Sequence, residues 1–220
     1  MGWWTVSHIG DLEELVNQIG ILPFFRNRIP GWSLEEHIRP DVWFTSADGP
    51  WEWKGRLAKD KRNVYGRFIA GKNAWVSLDC FPDLANLRRD GYDFEGRCED
   101  GLVPYREKLL MAWLEEHAPA VSKVARRECG FSKGFDTALT HLQMQTFIIN
   151  QDFVYDLDRY GHAYGWGNAL LTTPEKWFGA EYLDEAFRRK PEESLERLLE
   201  RLQPWLSWAD PGDLRRILRG

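Results

Sequence analysis

The fold of this chain is decided by residues 135–155, FDTALTHLQMQTFIINQDFVY, in which the spacing of the apolar side chains changes. That spacing places the first apolar residues on one face of an α-helix. They are Phe135, Ala138, Leu139 and Leu142. From Phe147 onward the segment is rich in β-branched and aromatic residues, which favour a strand. The sequence therefore predicts a helix that leads directly into a strand.

Two further helices are predicted on the N-terminal side of this segment. The first begins near residue 105, carries a stripe of leucines and ends before Pro119. The second spans residues 121–128 and is followed by Gly130. A short helix, a glycine turn and another helix have the spacing of a helix-turn-helix.

A second strand is predicted on the C-terminal side. Residues 163–171 are again rich in apolar and aromatic residues, and the polar residues 156–162 between the two strands contain Gly161. This pattern is typical of a β-hairpin with a longer loop. Three helices followed by a hairpin are the elements of a winged helix-turn-helix, which we place at residues 105–171.

The flanking regions complete a predicted α+β fold of three parts. Residues 1–104 are predicted to be a Trp-rich α+β region, with a helix at 9–19 and a hairpin within 63–78. The acidic, glycine-bearing residues 92–101 are predicted to be a loop. Residues 172–220 are predicted to be helices that pack on the rest of the protein.

The composition describes a folded protein with a mildly acidic balance. The 220 residues carry a formal net charge of −5 and are 43% hydrophobic. A strongly basic chain would favour nonspecific binding to nucleic acid, so any DNA contact here has to come from local patches. The three cysteines are isolated in the sequence. That usage predicts a reducing cytoplasm and not a disulfide framework.

No segment indicates a membrane, a signal peptide or a bound cofactor. No apolar run reaches the roughly 18 residues that span a bilayer, and the first residues lack the basic and apolar regions of a signal peptide. The five histidines are scattered without ligand spacing, and the acidic residues at 90–100 fit no calcium loop. We therefore predict a cytoplasmic protein that has no metal and no cofactor and does not bind membranes.

The winged-helix prediction points to DNA, because the third helix of such a module enters a groove while the hairpin contacts the backbone. Between residues 121 and 145, four cations face two anions. The hairpin carries Asp152, Asp156 and Asp158 against Arg159, a balance that repels phosphate. We favour DNA as the partner, with a protein partner as the alternative. The candidate DNA-binding residues are Lys123, Arg126, Arg127, Lys133, Thr137, Thr140 and His141.

Residues 142–146, Leu-Gln-Met-Gln-Thr, resemble a motif of the AlkZ/YcaQ family of bacterial DNA glycosylases, whose members carry Gln-hydrophobic-Gln or Gln-hydrophobic-Asp in a winged-helix domain. Over most of its length the chain is similar to the shorter AlkZ-related proteins. The full enzymes are similar only within the winged helix, and contain tandem winged helices and a barrel that this chain is too short to hold. The segments similar to the shorter proteins are GPWEWK (49–54), FPD (81–83), RDGYDF (89–94) and YGWG (164–167).

The resemblance implies that Gln143 and Gln145 are a catalytic pair. On a strand, residues two apart share a face, so both amides would point to one spot and Met144 into the core. Two carboxamide oxygens can position a water and stabilise positive charge on the sugar. An N-alkylated purine, already a cationic leaving group, would be flipped out of an alkylated duplex to reach them. The alternative is a pair of exposed glutamines with no catalytic role.

A second candidate site is Trp51-Glu52-Trp53, an acid between two indoles that can stack on a base or another ligand. The alternative there is a strand end with buried indoles and solvated charges. Three functions therefore remain open from the sequence. They are a DNA-binding protein, a DNA glycosylase acting on N-alkylated purines, and a non-catalytic module that binds a protein or a small ligand.

Overall fold

Within residues 5–44 and 48–220, which this computed structural model describes, the strands form one antiparallel sheet. They are β1 (Ile21–Pro23), β2 (Asn63–Ile69), β3 (Lys72–Ser77), β4 (Ala120–Val121), β5 (Ile149–Leu157) and β6 (Ala163–Thr172). Across the sheet their order is β1, β3, β2, β5, β6, β4. The two halves of the sheet meet where β2 pairs with β5, at Tyr65 opposite Asn150.

The N-terminal region combines β1, β2 and β3 with a series of helices. These are α1 (Ile9–Ile19), α2 (Leu34–His37), α3 (Pro40–Trp43), α4 (Pro50–Lys59), α5 (Phe81–Arg89) and α6 (Phe94–Glu99). Helix α1 confirms the prediction for residues 9–19, since its apolar stripe is buried and Gly20, at φ 90°, ends it. The predicted hairpin within 63–78 is confirmed as β2 and β3.

Residues 105–171 fold in the order helix, short strand, helix, helix and hairpin. The helices are α7 (Tyr105–His117), α8 (Ser122–Glu128) and α9 (Phe135–Met144), and β4 lies between α7 and α8. Strand β4 pairs with β6, at Ala120 opposite Leu171. Buried side chains from these elements form a core of their own, which includes Leu114, Leu142 and Ile148.

The last part of the chain is helical and lies against the first. It contains α10 (Pro174–Phe178), a 3-10 turn (Ala180–Leu183), α11 (Asp184–Phe187), α12 (Pro191–Leu202) and α13 (Pro211–Arg219). Helix α12 packs on α5, and its leucine stripe shares one core with Trp53 and Trp75 of the N-terminal region. The mixed α+β class is therefore confirmed. The division into 1–104, 105–171 and 172–220 stays a prediction.

Two local predictions for the N-terminal region are wrong. Residues 92–101 are not a loop, because the Asp93 carboxylate accepts from the main-chain N–H of Gly96 at 2.7 Å and caps α6. The Trp51-Glu52-Trp53 segment is not a strand end either. Glu52 accepts from the main-chain N–H of Gly49 at 3.1 Å, and the proline after that glycine occupies the first turn of α4.

Candidate nucleic-acid interface

Helix α9 continues through the Gln-Met-Gln segment, so the predicted strand over Gln143 and Gln145 is wrong. Met144 is the last residue of α9, and Gln145 is its C-cap. Thr146 then adopts the left-handed conformation, at φ 66°, before β5 begins at Ile149. The end of α9 and the turn that follows it therefore occupy the positions that the sequence analysis assigned to the start of the strand.

Two adjacent arginines of α5 hold this turn. Arg88 donates to the main-chain oxygen of Met144 at 3.0 Å and to main-chain oxygens of β2 and α13 at 3.0 and 2.8 Å. Arg89 donates to the main-chain and side-chain oxygens of Thr146 at 2.8 and 3.2 Å. Both guanidinium groups are buried, and burial lowers the pKa of Arg88 to about 10. Cationic donors at the end of α9 satisfy carbonyls that the helix leaves open, so the turn replaces the strand.

Gln143 is buried between α9 and the sheet. Its Oε1 accepts from the main-chain N–H of Arg67 at 3.2 Å, and its Nε2 donates to the side-chain oxygen of Asn150 at 2.7 Å. The residue is only 1% exposed. The amide therefore has a fixed orientation, with one end on β2 and the other on β5.

Gln145 does not point to the same place as Gln143. Its side-chain oxygen Oε1 is buried without a hydrogen-bond partner in the described part of the chain. Only Gln143 lines the cavity described next. The prediction for Met144 is reversed as well, since Met144 is half-buried while Gln143 lies in the interior. Residues two apart at a helix end point in different directions, so the two amides do not converge.

Gln143 lines a cavity of about 320 Å³ between α8, α9 and the sheet. We call it the amide cleft, because its walls carry the carboxamides of Asn73, Gln143, Asn150 and Asn168. Its ionisable residues are Arg67, Lys123, Arg126 and Asp136, so three cations face one carboxylate. Amides both donate and accept hydrogen bonds, and the excess of positive charge attracts anions.

The structure brings two of the four predicted cations into the amide cleft. Lys123 and Arg126 line it, whereas Arg127 and Lys133 do not. Lys123 forms an ion pair with a carboxylate of β5, and Arg126 with a carboxylate of α9. Both ion pairs are exposed to solvent, where such pairs contribute little to stability. An incoming phosphate can therefore replace either carboxylate.

The other three candidates, all on α9, lie outside the walls of the cleft. Thr137 is exposed. Thr140 accepts a hydrogen bond from the Arg67 guanidinium at 2.6 Å. The Nδ1 of His141 lies 3.2 Å from a carboxylate oxygen of Glu107 on α7. Burial raises the pKa of Glu107, and the hydrogen bond and charge of His141 oppose that rise. Thr140 and His141 thus connect α9 to β2 and α7.

Sequence reasoning missed half of the cleft. Arg67 and Asn73 belong to the N-terminal hairpin, and Asn150 and Asn168 to β5 and β6. They meet only because β2 pairs with β5 and α9 packs on β2, and no local spacing records those contacts. The one available signal is a polar residue within an apolar run, such as Asn150 directly after Ile148 and Ile149.

Trp51 and Glu52 line a second cavity, of about 290 Å³, which we call the aromatic pocket. Its other lining residues are Trp43, Phe44, Lys54, Tyr155 and Gly165. The placement of Trp53 in this site is wrong. Residues two apart on α4 face different directions, so Trp53 is fully buried and donates from Nε1 to Asp48 at 2.9 Å. The ammonium of Lys54 lies 4.3 Å from the centre of the Phe153 ring, and burial lowers its pKa.

The segments that carry the family resemblance lie at contacts between elements and at a cavity of the fold. RDGYDF meets LQMQT through Arg89 and Thr146. GPWEWK and YGWG both border the aromatic pocket, which Trp51 and Gly165 line. Asp83 of FPD accepts hydrogen bonds from a serine and an arginine of α12 at 2.7 and 2.8 Å. RDGYDF and FPD therefore connect separate elements of the fold, and GPWEWK and YGWG border the aromatic pocket.

Residues 5–44 and 48–220 contain no cluster of histidine, cysteine and carboxylate side chains able to hold a metal ion. Over the same residues, no helix combines the length and the apolar character that crossing a bilayer requires.

Comparison with known proteins identifies the family. The family described as AlkZ related matches residues 6–219, which is nearly the whole chain. No curated protein and no solved structure matches it. The match spans all four segments quoted above and the LQMQT motif as well. The chain therefore belongs to the AlkZ-related family.

Proposed function

We propose that this AlkZ-related protein binds DNA, with α9 and the amide cleft facing the nucleic acid. One observation carries the proposal: the cleft collects three cations and four carboxamides against one carboxylate. Cationic side chains contact phosphate oxygens, while carboxamides pair with the edges of bases. Membership of the AlkZ-related family, together with the resemblance of residues 142–146 to the motif of the AlkZ/YcaQ DNA glycosylases, supports the same partner.

We further propose that residues 105–171 are a winged helix-turn-helix. The order α7, β4, α8, α9, β5, β6 supports this, as does the pairing of β4 with the second strand of the hairpin. Gly130 and Gly134, with φ of 68° and 81°, form the turn between α8 and α9. In such a module α9 is the helix that enters a groove, and the β5–β6 hairpin is the wing.

The carboxylates of the hairpin oppose phosphate less than their number suggests. Asp156 forms an ion pair with Lys123. Asp152 lies 3.4 Å from the ammonium of Lys59. The Asp158 carboxylate accepts main-chain N–H groups of its own loop at 2.8 and 2.9 Å, and these bonds lower its pKa. Asp152 and Asp158 are thus partly compensated by groups outside the cleft, and Asp156 is the carboxylate that a phosphate bound to Lys123 would leave without its cation.

Fluorescence anisotropy of a labelled duplex at several salt concentrations tests the proposal. Lys123→Ala combined with Arg126→Ala should weaken binding at least about tenfold and reduce the salt slope by about two, since each lost phosphate contact removes about one unit. The matched control is Arg215→Ala with Arg219→Ala, which removes two ion-paired cations of α13. That control should leave binding unchanged. No binding to duplex, single-stranded or alkylated DNA at low salt would refute the proposal.

Excision of alkylated bases is a second candidate function, which the position of Gln143 in the amide cleft favours. Because Gln145 does not line the cleft, Gln143 would act without it. A neutral amide is a poor general acid, so only a cationic N3- or N7-alkylated purine is a suitable leaving group. Formation of abasic sites in alkylated duplex, compared with Gln143→Ala, tests this function. Release at the spontaneous rate would leave a protein that binds without catalysis.

A third candidate is a small ligand or protein segment bound at the aromatic pocket. Trp51 and Glu52 support it, since an indole next to a carboxylate favours flat or cationic groups. Quenching of tryptophan fluorescence, lost in Trp51→Ala, would identify such a ligand. For the compartment we propose the cytoplasm, on the basis of the three isolated cysteines.

A further inference from the structure

A third cavity, of about 580 Å³, lies between the loop after β1, the turn from β2 to β3 and the end of α13. We call it the basic pocket. Its cationic lining residues are Arg26 and Arg28 of the loop, Lys72 of the turn and Arg216 of α13. It shares no lining residue with the amide cleft or the aromatic pocket. We propose that the basic pocket binds a nucleotide-sized organic phosphate, and this inference does not rest on the proposed function.

The residues that line the basic pocket carry an excess of positive charge. Four cationic side chains line it, and no aspartate or glutamate does. Arg216 has an ion pair with an aspartate of its own helix at 2.8 Å. Arg26, Arg28 and Lys72 have none within residues 5–44 and 48–220. A carboxylate on the main chain of Gly220 would neutralise one charge of the four. Like charges held together raise the free energy of an empty pocket, and a bound phosphate, with about two negative charges, lowers it.

The size and the apolar part of the wall indicate a ligand larger than phosphate. Ile69, Ala70 and Ile217 line the same cavity as the cations. Inorganic phosphate alone would leave these side chains in contact with water, whereas an attached organic group covers them. A volume of about 580 Å³ lies within the range of sites for small organic ligands. A phosphate ester of nucleotide size satisfies both parts of the wall.

Hydrogen bonds within the protein hold the main chain around the basic pocket in place. The side chain of Asn27 donates to the main-chain oxygen of Trp32 at 2.6 Å and accepts from the main-chain N–H of Ile29 at 2.9 Å. These bonds fix the loop between the two arginines. On the other side, Arg88 connects the end of α13 to β2. A main chain that is fixed before binding loses less conformational entropy on binding than a mobile one.

Isothermal titration calorimetry with AMP tests the inference on the full chain. Arg26→Ala combined with Arg28→Ala should weaken AMP binding at least about tenfold, because two charge-assisted contacts are lost. The matched control is Arg188→Ala with Lys190→Ala, two exposed cations with the same spacing that do not line the basic pocket. The control should bind AMP within about twofold of the unmodified protein. Circular dichroism of both variants checks that the fold is unchanged.

Three results would overturn the inference: no AMP binding, equal binding by the Arg26→Ala/Arg28→Ala variant, or adenosine or inorganic phosphate binding as tightly as AMP. An oligonucleotide with a 5′-phosphate distinguishes the sources. Tighter binding than AMP, lost without the 5′-phosphate, would identify the end of a strand, and weaker binding would identify a free nucleotide. Binding of a duplex without 5′-phosphates should be unchanged in the same variant, so failure of this inference is separable from failure of the DNA proposal.

Discussion

Gln143 donates from Nε2 to the side-chain oxygen of Asn150 at 2.7 Å, next to the point where the two halves of the sheet meet. The same amide accepts from the main-chain N–H of Arg67 at 3.2 Å. A glutamine expected on an exposed strand is thus a buried connection between α9, β2 and β5. Its contribution to stability now has to be separated from any contribution to DNA binding or catalysis.

The Gln143→Ala substitution should destabilise the fold by about 1–3 kcal/mol, because it leaves a buried N–H and a buried carboxamide oxygen without a partner. Urea unfolding measures the change in the free energy of unfolding. Gln145→Ala is the control. We expect a smaller loss of stability, since the buried side-chain oxygen Oε1 of Gln145 has no hydrogen-bond partner in the described structure. An equal loss in both variants would contradict the difference between the two amides.

Replacing Arg88 should cost more than replacing any arginine on the surface. Its buried guanidinium donates to main-chain oxygens of three separate elements, so Arg88→Met leaves several buried acceptors open. We expect a loss of at least about 3 kcal/mol, measured by urea unfolding. Arg215→Met removes an exposed arginine and should have a small effect. A loss of similar size in the two variants would show that Arg88 does not hold the end of α9.

Glu107 should make stability fall as the pH rises. Burial raises its pKa in the folded state, so the folded protein binds a proton more tightly than the unfolded chain does. The free energy of unfolding therefore decreases as the pH rises from the usual glutamate pKa through the raised one. Glu107→Gln removes this dependence, and its stability relative to the unmodified protein should increase over that range.

Urea unfolding between about pH 4 and 7 checks the Glu107 prediction. Glu116→Gln, an exposed change on the same helix, is the control and should track the unmodified protein. His141→Ala should extend the fall in stability to higher pH, because His141 opposes the rise in the pKa of Glu107. A Glu107→Gln variant whose relative stability does not change with pH would contradict the assignment.

The two glycines of YGWG should respond differently to alanine. Both have positive φ, 79° at Gly165 and 72° at Gly167, so alanine is strained by about 1 kcal/mol at either position. A Cβ at Gly167 would also lie 3.1 Å from the Tyr155 ring and 3.2 Å from Phe153, whereas at Gly165 no described atom outside its chain neighbours lies within 4 Å. Thermal melts should therefore show an additional loss of about 1–3 kcal/mol for Gly167→Ala. Equal losses would show that the rings move aside.

The sequence predicted the elements whose signals are local. The apolar stripe on α1 and the two strand-like runs on either side of Gly71 are patterns within a few residues, and both appear in the structure, as α1 and as the β2–β3 hairpin. The course of the chain through Gln145 depends instead on Arg88 and Arg89, which are more than 50 residues earlier. The apolar run after Thr146 favours a strand locally, and two buried cations impose a turn.

The amide cleft was predictable only on its helical side. Lys123 and Arg126 lie on α8, which the glycine turn and the short helix mark in the sequence. Arg67 and Asn168 reach the same cleft through strand pairing and through the packing of α9 on β2. Such contacts join distant parts of the chain, and a single sequence holds no record of them.

The bonds that Arg88 makes have a consequence for how relatives of this protein diverge. All four of its acceptors are main-chain oxygens, so the half-buried side chains of Met144 and Ile217 can vary without breaking these bonds. Arginine at position 88 is not replaceable in this way, because lysine lacks the planar, branched donor group. Substitutions should therefore accumulate at Met144 and Ile217 while the arginine is inherited unchanged. In distant homologues, position 88 would identify the same chain path after the glutamines themselves have been lost.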